Sequence, residues 1–276
     1  MNNVVVRSIS GVVFILAMLA CLMFNKFLFA GLIIFIMSVM LLEFYHITMG
    51  NSYIFSKVLA IIAAIFLFGL LFATASYHIP IRFVAFAMVP IFIVMINSLY
   101  VKDKDEYGKF SNIYTGLLYI AVPIALSNLI AFDKAGNFSG NLLLCFFIII
   151  WCSDVGAFAF GISLGKIFPQ KLFPSVSPKK TWIGFIGGLV SSVLAAFALY
   201  EFGILKFPLI HCLILSFIMS VTGVYGDLFE SQWKRVYGVK DSGKIIPGHG
   251  GFLDRFDSTL MAMPFGAIYL AIFDLL

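Results

Sequence analysis

The chain has 276 residues, of which 62% are hydrophobic and 11% are charged, with a formal net charge of +5. Soluble domains carry about 25% charged residues, so this composition excludes an ordinary soluble globular protein. The 32 phenylalanines support the same conclusion, because water would not tolerate so much exposed ring surface. A lipid bilayer is therefore the expected solvent.

Nine apolar stretches follow one another along the chain, each close to the roughly 20 residues that a helix needs to cross a bilayer. They lie near residues 8–24, 27–44, 55–75, 80–99, 110–131, 141–163, 182–200, 205–230 and 257–276. Only Asn25 and Lys26 separate the first two, which predicts a helical hairpin rather than a cleaved leader. The sequence predicts an all-α, polytopic membrane protein with about nine spans, because open strands leave unpaired backbone groups in lipid.

Basic residues are distributed unevenly over the loops between these stretches. With nine spans, fourteen of the 18 Lys and Arg residues fall on the side of the N-terminus. Cytoplasmic loops retain Lys and Arg, so the N-terminus is expected in the cytoplasm. Polar residues concentrate after residue 140. We therefore expect residues 1–140 to form a scaffold and residues 141–276 to carry the functional cytoplasmic loops.

The first polar cluster lies at the end of the sixth stretch and contains Ser153, Asp154 and Gly156. An acid at membrane depth is costly and is a candidate for function. The alternative is a helix-end carboxylate that pairs with a nearby lysine. The sequence alone leaves both interpretations of Asp154 open.

The second cluster, residues 177–182, precedes the seventh stretch and contains the adjacent Lys179 and Lys180. Two cations before a helix suit an anionic ligand. By itself, however, the pattern favours a basic anchor at the membrane surface. Gly184 and Gly188 have the four-residue spacing that usually indicates close packing of helices.

The third cluster, residues 226–258, has the highest charge density. The eighth apolar stretch is interrupted toward its end by Gly223, Gly226, Asp227 and Glu230. Five polar side chains would share one helical face: Asp227, Glu230, Ser231, Lys234 and Arg235. Asp254 and Asp257 would share another face, and a glycine-rich loop around His249 precedes them. Glycine lets backbone N–H groups approach phosphate oxygens closely.

Carboxylates beside lysines and arginines suit a site that binds Mg²⁺ and a polyphosphate together. The alternative is a web of surface salt bridges, which would account for the charges but not for the glycines. We therefore favour a phosphate-handling site. His249 could donate a proton, contact phosphate or serve the structure, and Mg²⁺ ligation by it is disfavoured because Mg²⁺ prefers oxygen.

The 27 residues from Ser231 to Asp257 resemble the signature of the phosphatidate cytidylyltransferase family, also called CDP-diacylglycerol synthases. The matching runs are Ser231–Arg235, Lys240–Gly243, Pro247–Gly251 and Asp254–Asp257. Residues 226–227, residues 177–182 and Asp154 also resemble the family, so the likeness covers about residue 150 to the end. Trp233 departs mildly from the signature. Ile183 stands where the family usually has Glu, so no carboxylate role is expected there.

The resemblance implies that CTP reacts with phosphatidate to give CDP-diacylglycerol and pyrophosphate with Mg²⁺, and it leaves room for a second cation. A lipid phosphate oxygen is already anionic, so the reaction requires positioning and charge neutralisation rather than an activated side chain. The implied partners are CTP, phosphatidate and the lipid bilayer of the cytoplasmic membrane. No nucleic acid is expected, and a homodimer would be compatible.

The family's catalytic roles fall on residues of the third cluster. Asp227 and Asp254 are expected to bind the metal. The residues expected to hold triphosphate or lipid phosphate are Lys234, Arg235, Lys240 and Arg255. His249, Gly250 and Gly251 would cradle pyrophosphate. Asp241 and Asp257 would orient these cations or complete the metal shell.

Further substrate contacts are expected from residues of all three clusters, with the two lysines attracting either anion. These residues are Asp154, Ser177, Lys179, Lys180, Thr181 and Ser231. Two other functions remain alternatives. A CTP-dependent polyprenol kinase would transfer the terminal phosphoryl group instead. An ion-coupled transporter would have polar residues near mid-membrane and broken helices in matched halves, whereas the acids here cluster at one surface of one half.

Overall fold

The computed structural model describes residues 3–100, 107–246, 248 and 250–276, with side chains from residue 10 onward in those ranges. Over these residues the chain is mostly helical, and its strands form a two-stranded hairpin. The predicted all-α, polytopic fold is confirmed. His249 and the loop 101–106 lie outside the described residues.

The helices of the first half are α1 (Asn3–Phe24), α2 (Lys26–Met49), α3 (Ile54–Tyr77), α4 (Met88–Ser98), α5 (Tyr107–Gly116) and α6 (Val122–Ala131). A 3₁₀ segment, Ile81–Ala87, leads into α4, and a π-helical turn, Leu117–Ala121, joins α5 to α6. The second half contains α7 (Asn141–Ser163), β1 (Lys171–Phe173), β2 (Ser177–Thr181), α8 (Trp182–Glu201), α9 (Leu209–Val236) and α10 (Leu253–Ile272).

Among the described residues, 7 helical stretches are long and apolar enough to cross a bilayer. They are Lys26–Met49, Ile54–Tyr77, Ile81–Ser98, Tyr107–Ala131, Asn141–Ser163, Trp182–Glu201 and Leu209–Val236. A shorter apolar segment lies in α1, and α10 begins with the charged Asp254, Arg255 and Asp257. Each predicted stretch thus corresponds to helix, while the number of crossings and the cytoplasmic N-terminus remain predictions.

Helix α9 is continuous from Leu209 to Val236, so the glycines and acids that interrupt its apolar sequence do not end the helix. These glycines instead allow α10 to pack closely against α9. A Cβ atom at Gly226 would lie 2.5 Å from the carbonyl oxygen of Asp257, and one at Gly223 would lie 3.6 Å from Ser258. Small residues at a crossing let two backbones approach without bending either helix.

The described residues separate into two compact units. The first takes its residues from Met1–Ser139 and Asp241–Arg255, so a segment late in the sequence belongs with the first six helices. Its core contains fully buried aromatic residues, among them Phe29, Phe68 and Tyr45. The hydroxyl group of Tyr45 donates a hydrogen bond to the carbonyl oxygen of Ile113 (3.0 Å), which satisfies the polar end of a buried ring.

The second unit takes its residues from Gly140–Lys240 and Phe256–Leu276. Helices α7 and α8 approach each other so closely that there is no room for a Cβ atom at two glycines of α8. A Cβ atom at Gly188 would lie 2.8 Å from the carbonyl oxygen of Ser153, and one at Gly184 would lie 2.9 Å from that of Ala157. The prediction that Gly184 and Gly188 mark helix packing is confirmed.

Replacing Gly156 with alanine should therefore destabilise the protein. The new methyl group would lie 2.8 Å from the carbonyl oxygen of Gly187 and 2.5 Å from Cβ of Ser191. Overpacking of this kind costs about 1–3 kcal/mol, which would lower the melting temperature in detergent. Gly31→Ala is the matched control, because nothing lies within 4 Å of that position. Equal melting temperatures for the two variants would contradict the close packing of α7 and α8.

Candidate functional site

The β-hairpin of the second unit positions the two adjacent lysines. Strands β1 and β2 pair antiparallel, with Lys171 opposite Thr181 and Phe173 opposite Ser177. Strand β2 runs directly into α8, where the hydroxyl oxygen of Thr181 accepts a hydrogen bond from the Gly184 N–H (3.2 Å). Such a cap satisfies an N–H group that the first turn of a helix leaves unpaired. The lysines thus belong to a short strand that is fixed to a helix N-terminus.

A cavity of about 560 Å³ lies between α7, the hairpin, α8 and α9. Its polar wall contains Asp154 from α7, Lys179, Lys180 and Thr181 from β2, and Asp227 from α9. Its apolar wall contains Ala157, Phe158, Ile162, Leu172, Phe185 and Val224. Ligand sites typically enclose about 300–1,000 Å³, with a few polar groups on a largely apolar lining. This cavity therefore suits a ligand with an anionic group and an apolar part.

Asp227 is held from two directions. The ammonium nitrogen of Lys180 lies 2.6 Å from one carboxylate oxygen, and the Ser231 hydroxyl group donates a hydrogen bond to the other (3.2 Å). The side chains of Lys180 and Asp227 are 25% and 30% exposed, so the pair is partly shielded from solvent. The predicted helical face that carries Asp227 and Ser231 is confirmed by this contact.

Acidic side chains of three helices gather next to this ion pair. Asp257 from α10 lies close enough to Asp154, Asp227 and Glu230 for the charges to repel one another. Glu230 is 1% exposed and forms an ion pair with Lys234 at 2.5 Å. Bringing several carboxylates together costs free energy unless cations compensate their charges. This gathering of acids makes the group a candidate functional site.

The donor atoms of this group fit Mg²⁺, which is bound by carboxylate oxygens. Within the described part of the chain, no three His, Cys, Asp or Glu side chains are arranged to hold a metal ion. Mg²⁺ does not need such a preformed set, since it usually keeps several waters and takes one or two carboxylates together with substrate phosphates.

Asp254 belongs to the first unit, at the start of α10. One of its carboxylate oxygens accepts hydrogen bonds from the N–H of Ser242 (2.8 Å), the hydroxyl of Ser242 (2.9 Å) and the N–H of Gly251 (2.9 Å). Three donors on one oxygen hold the carboxylate firmly, because hydrogen bonds to an ionised group are strong. The predicted cation shared by Asp227 and Asp254 remains a prediction, since the two acids belong to different units.

Glu43 is a buried acid of the first unit for which no role was predicted from the sequence. This residue lies in α2, is 6% exposed and accepts hydrogen bonds from the N–H groups of Phe252 (3.1 Å) and Leu253 (2.9 Å). A single acid within an apolar stretch was the available signal, because such residues are candidates for function by default. The expectation that residues 1–140 form a scaffold remains a prediction.

The glycine-rich loop is shaped by these carboxylates. Gly250 has φ +86°, a conformation that side chains with a Cβ rarely adopt, and a Cβ there would lie 2.6 Å from the Asp254 carboxylate. The N–H of Gly251 donates to Asp254. In this arrangement the amide of Gly251 binds a protein carboxylate, whereas the sequence analysis expected it to contact pyrophosphate.

Several other residues predicted for the site are half-buried or exposed, and His249 lies outside the described residues. Ser177 is half-buried at the start of β2. The side chains with exposed positions are Arg235, Lys240, Asp241 and Arg255. The structure thus brings Asp154, Lys179, Lys180, Thr181 and Asp227 together around one cavity, with Ser231 and Asp257 beside them. The roles predicted for all of these residues remain predictions.

Comparison with known proteins gives one consistent result. A family model described as "Cytidylyltransferase family" matches residues 5–273. A phosphatidate cytidylyltransferase of Bacillus subtilis (strain 168) is 41% identical over 182 residues, which are 65% of this chain and 63% of that protein. Proteins of the same name from Staphylococcus saprophyticus and Staphylococcus aureus (strain COL) are 45% and 46% identical over 124 residues, 45% of this chain and 46% of each relative. The alignments therefore span about half to two thirds of these relatives.

Proposed function

Because this chain belongs to the cytidylyltransferase family, we propose that it transfers the cytidylyl group of CTP to phosphatidate. The products would be CDP-diacylglycerol, a precursor of phospholipids, and pyrophosphate. Relatives named phosphatidate cytidylyltransferase, at 41–46% identity, support this choice of donor and acceptor. The proposed location is the cytoplasmic membrane, with the basic loops facing cytosolic CTP.

The observation that carries the proposal is the cavity of the second unit. Its wall offers two lysines for anionic phosphate groups, and its apolar side chains suit the lipid portion of phosphatidate. Carboxylates from α7 and α9 complete the lining.

The proposed reaction is one displacement at the α-phosphorus of CTP. A phosphate oxygen of phosphatidate attacks this atom and forms a new P–O bond. The bond from the α-phosphorus to the oxygen that bridges it to the β-phosphorus breaks, and pyrophosphate leaves with that electron pair. Lys179 and Lys180 would hold the phosphates against their mutual repulsion. Since the attacking oxygen is already ionised, no side chain has to remove a proton.

Mg²⁺ is the proposed cofactor, and a second cation would be compatible. Asp227 and Asp254 are its proposed ligands, with Asp257 or Asp241 completing the shell. When bound, the ion would neutralise charge on the phosphate oxygens. Lys234, Arg235, Lys240 and Arg255 are proposed to hold triphosphate or lipid phosphate, and His249 with its flanking glycines to contact pyrophosphate.

The test uses the purified full chain in detergent with phosphatidate, Mg²⁺ and CTP labelled at either the α- or the γ-phosphate. We expect label from α-labelled CTP in the lipid fraction, none from γ-labelled CTP, and no transfer after chelation of Mg²⁺. Label from γ-labelled CTP in the lipid would instead indicate a lipid kinase. Absence of lipid-bound label under all conditions would refute the proposed function.

Replacing Lys180 with methionine is expected to weaken substrate binding and leave the Asp227 carboxylate without its ion pair. We expect kcat/KM for cytidylyl transfer to fall by about 10- to 100-fold, mainly through KM, because a cation that binds phosphate acts in the ground state as well. Lys206→Met is the matched control, since Lys206 is exposed and lies far along the chain from the cavity residues. Equal kcat/KM values for the two variants would remove Lys180 from the site.

A further inference from the structure

A carboxylate from the first half of the chain organises the signature loop, residues 241–255. Glu43 is 6% exposed in α2. Its carboxylate accepts hydrogen bonds from the N–H of Phe252 (3.1 Å) and the N–H of Leu253 (2.9 Å), and the Ser242 hydroxyl oxygen lies 3.2 Å from it. All of these residues belong to the first unit. The first N–H groups of a helix have no partner within it, so Glu43 satisfies donors at the start of α10.

The sequence of the loop is fitted to this carboxylate. A Cβ atom at Gly243 would collide with Glu43, and one at Gly251 would collide with both Glu43 and Ser242. Two glycines of the loop are therefore required by the position of Glu43, independently of any bound phosphate. A buried carboxylate that accepts two backbone hydrogen bonds has little freedom to move, so it holds Phe252 and Leu253 at the start of α10 in place.

Ser242 connects Glu43 to Asp254. Its hydroxyl oxygen lies 3.2 Å from a carboxylate oxygen of Glu43 and 2.9 Å from one of Asp254. The same hydroxyl oxygen accepts a hydrogen bond from the N–H of Asp254 (3.3 Å). A displacement of Glu43 would therefore move Ser242, and Ser242 carries two of the donors that hold the Asp254 carboxylate.

We propose that Glu43 is a positioning residue that fixes the carboxylate of Asp254 through Ser242. The inference rests on the proposed function, in which Asp254 belongs to the reacting site. Glu43 itself would not contact substrate. Its effect would be on the rate of the transfer step more than on substrate binding, because a small displacement of a reacting group raises the barrier far more than it weakens binding.

The first variant is Glu43→Gln, which keeps the size of the side chain but replaces one acceptor oxygen by an NH₂ donor. We expect kcat for cytidylyl transfer to fall by about 10- to 100-fold, while KM for CTP stays within about threefold of wild type. Hydrogen exchange at the amides of Phe252 and Leu253 should become faster. Glu201→Gln is the matched control, because Glu201 is exposed at the end of α8, and it should keep wild-type kcat and exchange.

The second variant, Ser242→Ala, distinguishes positioning from helix capping. It leaves the hydrogen bonds from the Phe252 and Leu253 amides to Glu43 in place but removes the hydroxyl group that lies between the carboxylates of Glu43 and Asp254. We expect slow exchange at those two amides together with a kcat reduced by about tenfold. Wild-type kcat in this variant would mean that Glu43 does not act on Asp254 through the Ser242 hydroxyl.

The outcomes separate the inference from the proposed function. An active wild-type protein with wild-type kcat in Ser242→Ala would overturn the positioning role, and this result decides the matter even if Glu43→Gln fails to fold. A kcat reduced in both variants with KM largely unchanged would support it. A wild-type protein that transfers no label would instead refute the proposed function, and with it the inference.

Discussion

Replacing Asp227 with asparagine is expected to reduce cytidylyl transfer by about 100- to 1,000-fold while the protein stays folded. Asp227 lines the cavity, pairs with Lys180 at 2.6 Å and repels Asp257. An asparagine of nearly the same size removes the charge that would bind Mg²⁺ and orient Lys180. The measurement is the rate of label transfer from α-labelled CTP to lipid, together with the melting temperature.

The melting temperature distinguishes a loss of function from a loss of stability in this variant. The variant loses a partly exposed ion pair, which is worth about 0–1 kcal/mol. It also loses repulsion among neighbouring acids, so we expect stability to be kept or increased. Asp274→Asn is the matched control, since that exposed residue has φ 54°, which asparagine tolerates. A variant at Asp227 that is unstable but catalytically competent would indicate a structural role instead.

Replacing Asp254 with asparagine is expected to abolish transfer and, in contrast to Asp227→Asn, to lower the melting temperature. The Asp254 carboxylate accepts hydrogen bonds from two backbone N–H groups and one hydroxyl group within the signature loop. A neutral amide oxygen accepts more weakly than a carboxylate, and the loss would be about 1–3 kcal/mol.

Both variants should therefore lose most of their activity, but only the Asp254 variant should also lose stability. Protein abundance in the membrane should remain measurable for both, so that activity is compared per folded molecule. Unchanged label transfer in the Asp254 variant would remove this residue from the proposed site, whatever its melting temperature. Unchanged stability with lost activity would place its role in the chemistry alone.

Hydropathy predicted the helices well because a bilayer allows few structures. Every stretch of about 20 apolar residues had to become a helix, and predicted and observed bounds agree closely for α3, α7 and α8. At α9, glycines and acids interrupt the apolar sequence but not the helix. Gly226 lies where α10 packs closely against α9, and helix α9 continues through Asp227 to Val236.

The site was only partly predictable, because its residues come from separate elements. Spacing along one helix could predict that Asp227 and Ser231 meet. It could not predict that Asp154, Lys180 and Asp227 line a common cavity, since these belong to α7, β2 and α9. Glu43 was missed for the same reason, as its hydrogen-bond donors lie about 200 residues further along the chain.

The hydrogen bonds between Glu43 in α2 and the start of α10 limit which segments of this protein can be exchanged with those of its relatives. A chimera that took residues 1–139 from another protein would also replace the acceptor for the Phe252 and Leu253 amides. Unless the donor protein supplied an acid at the place of Glu43, two amides would be left unsatisfied and the recombinant would assemble poorly. Crossover points for domain exchange should therefore keep α2 and the signature loop from the same parent.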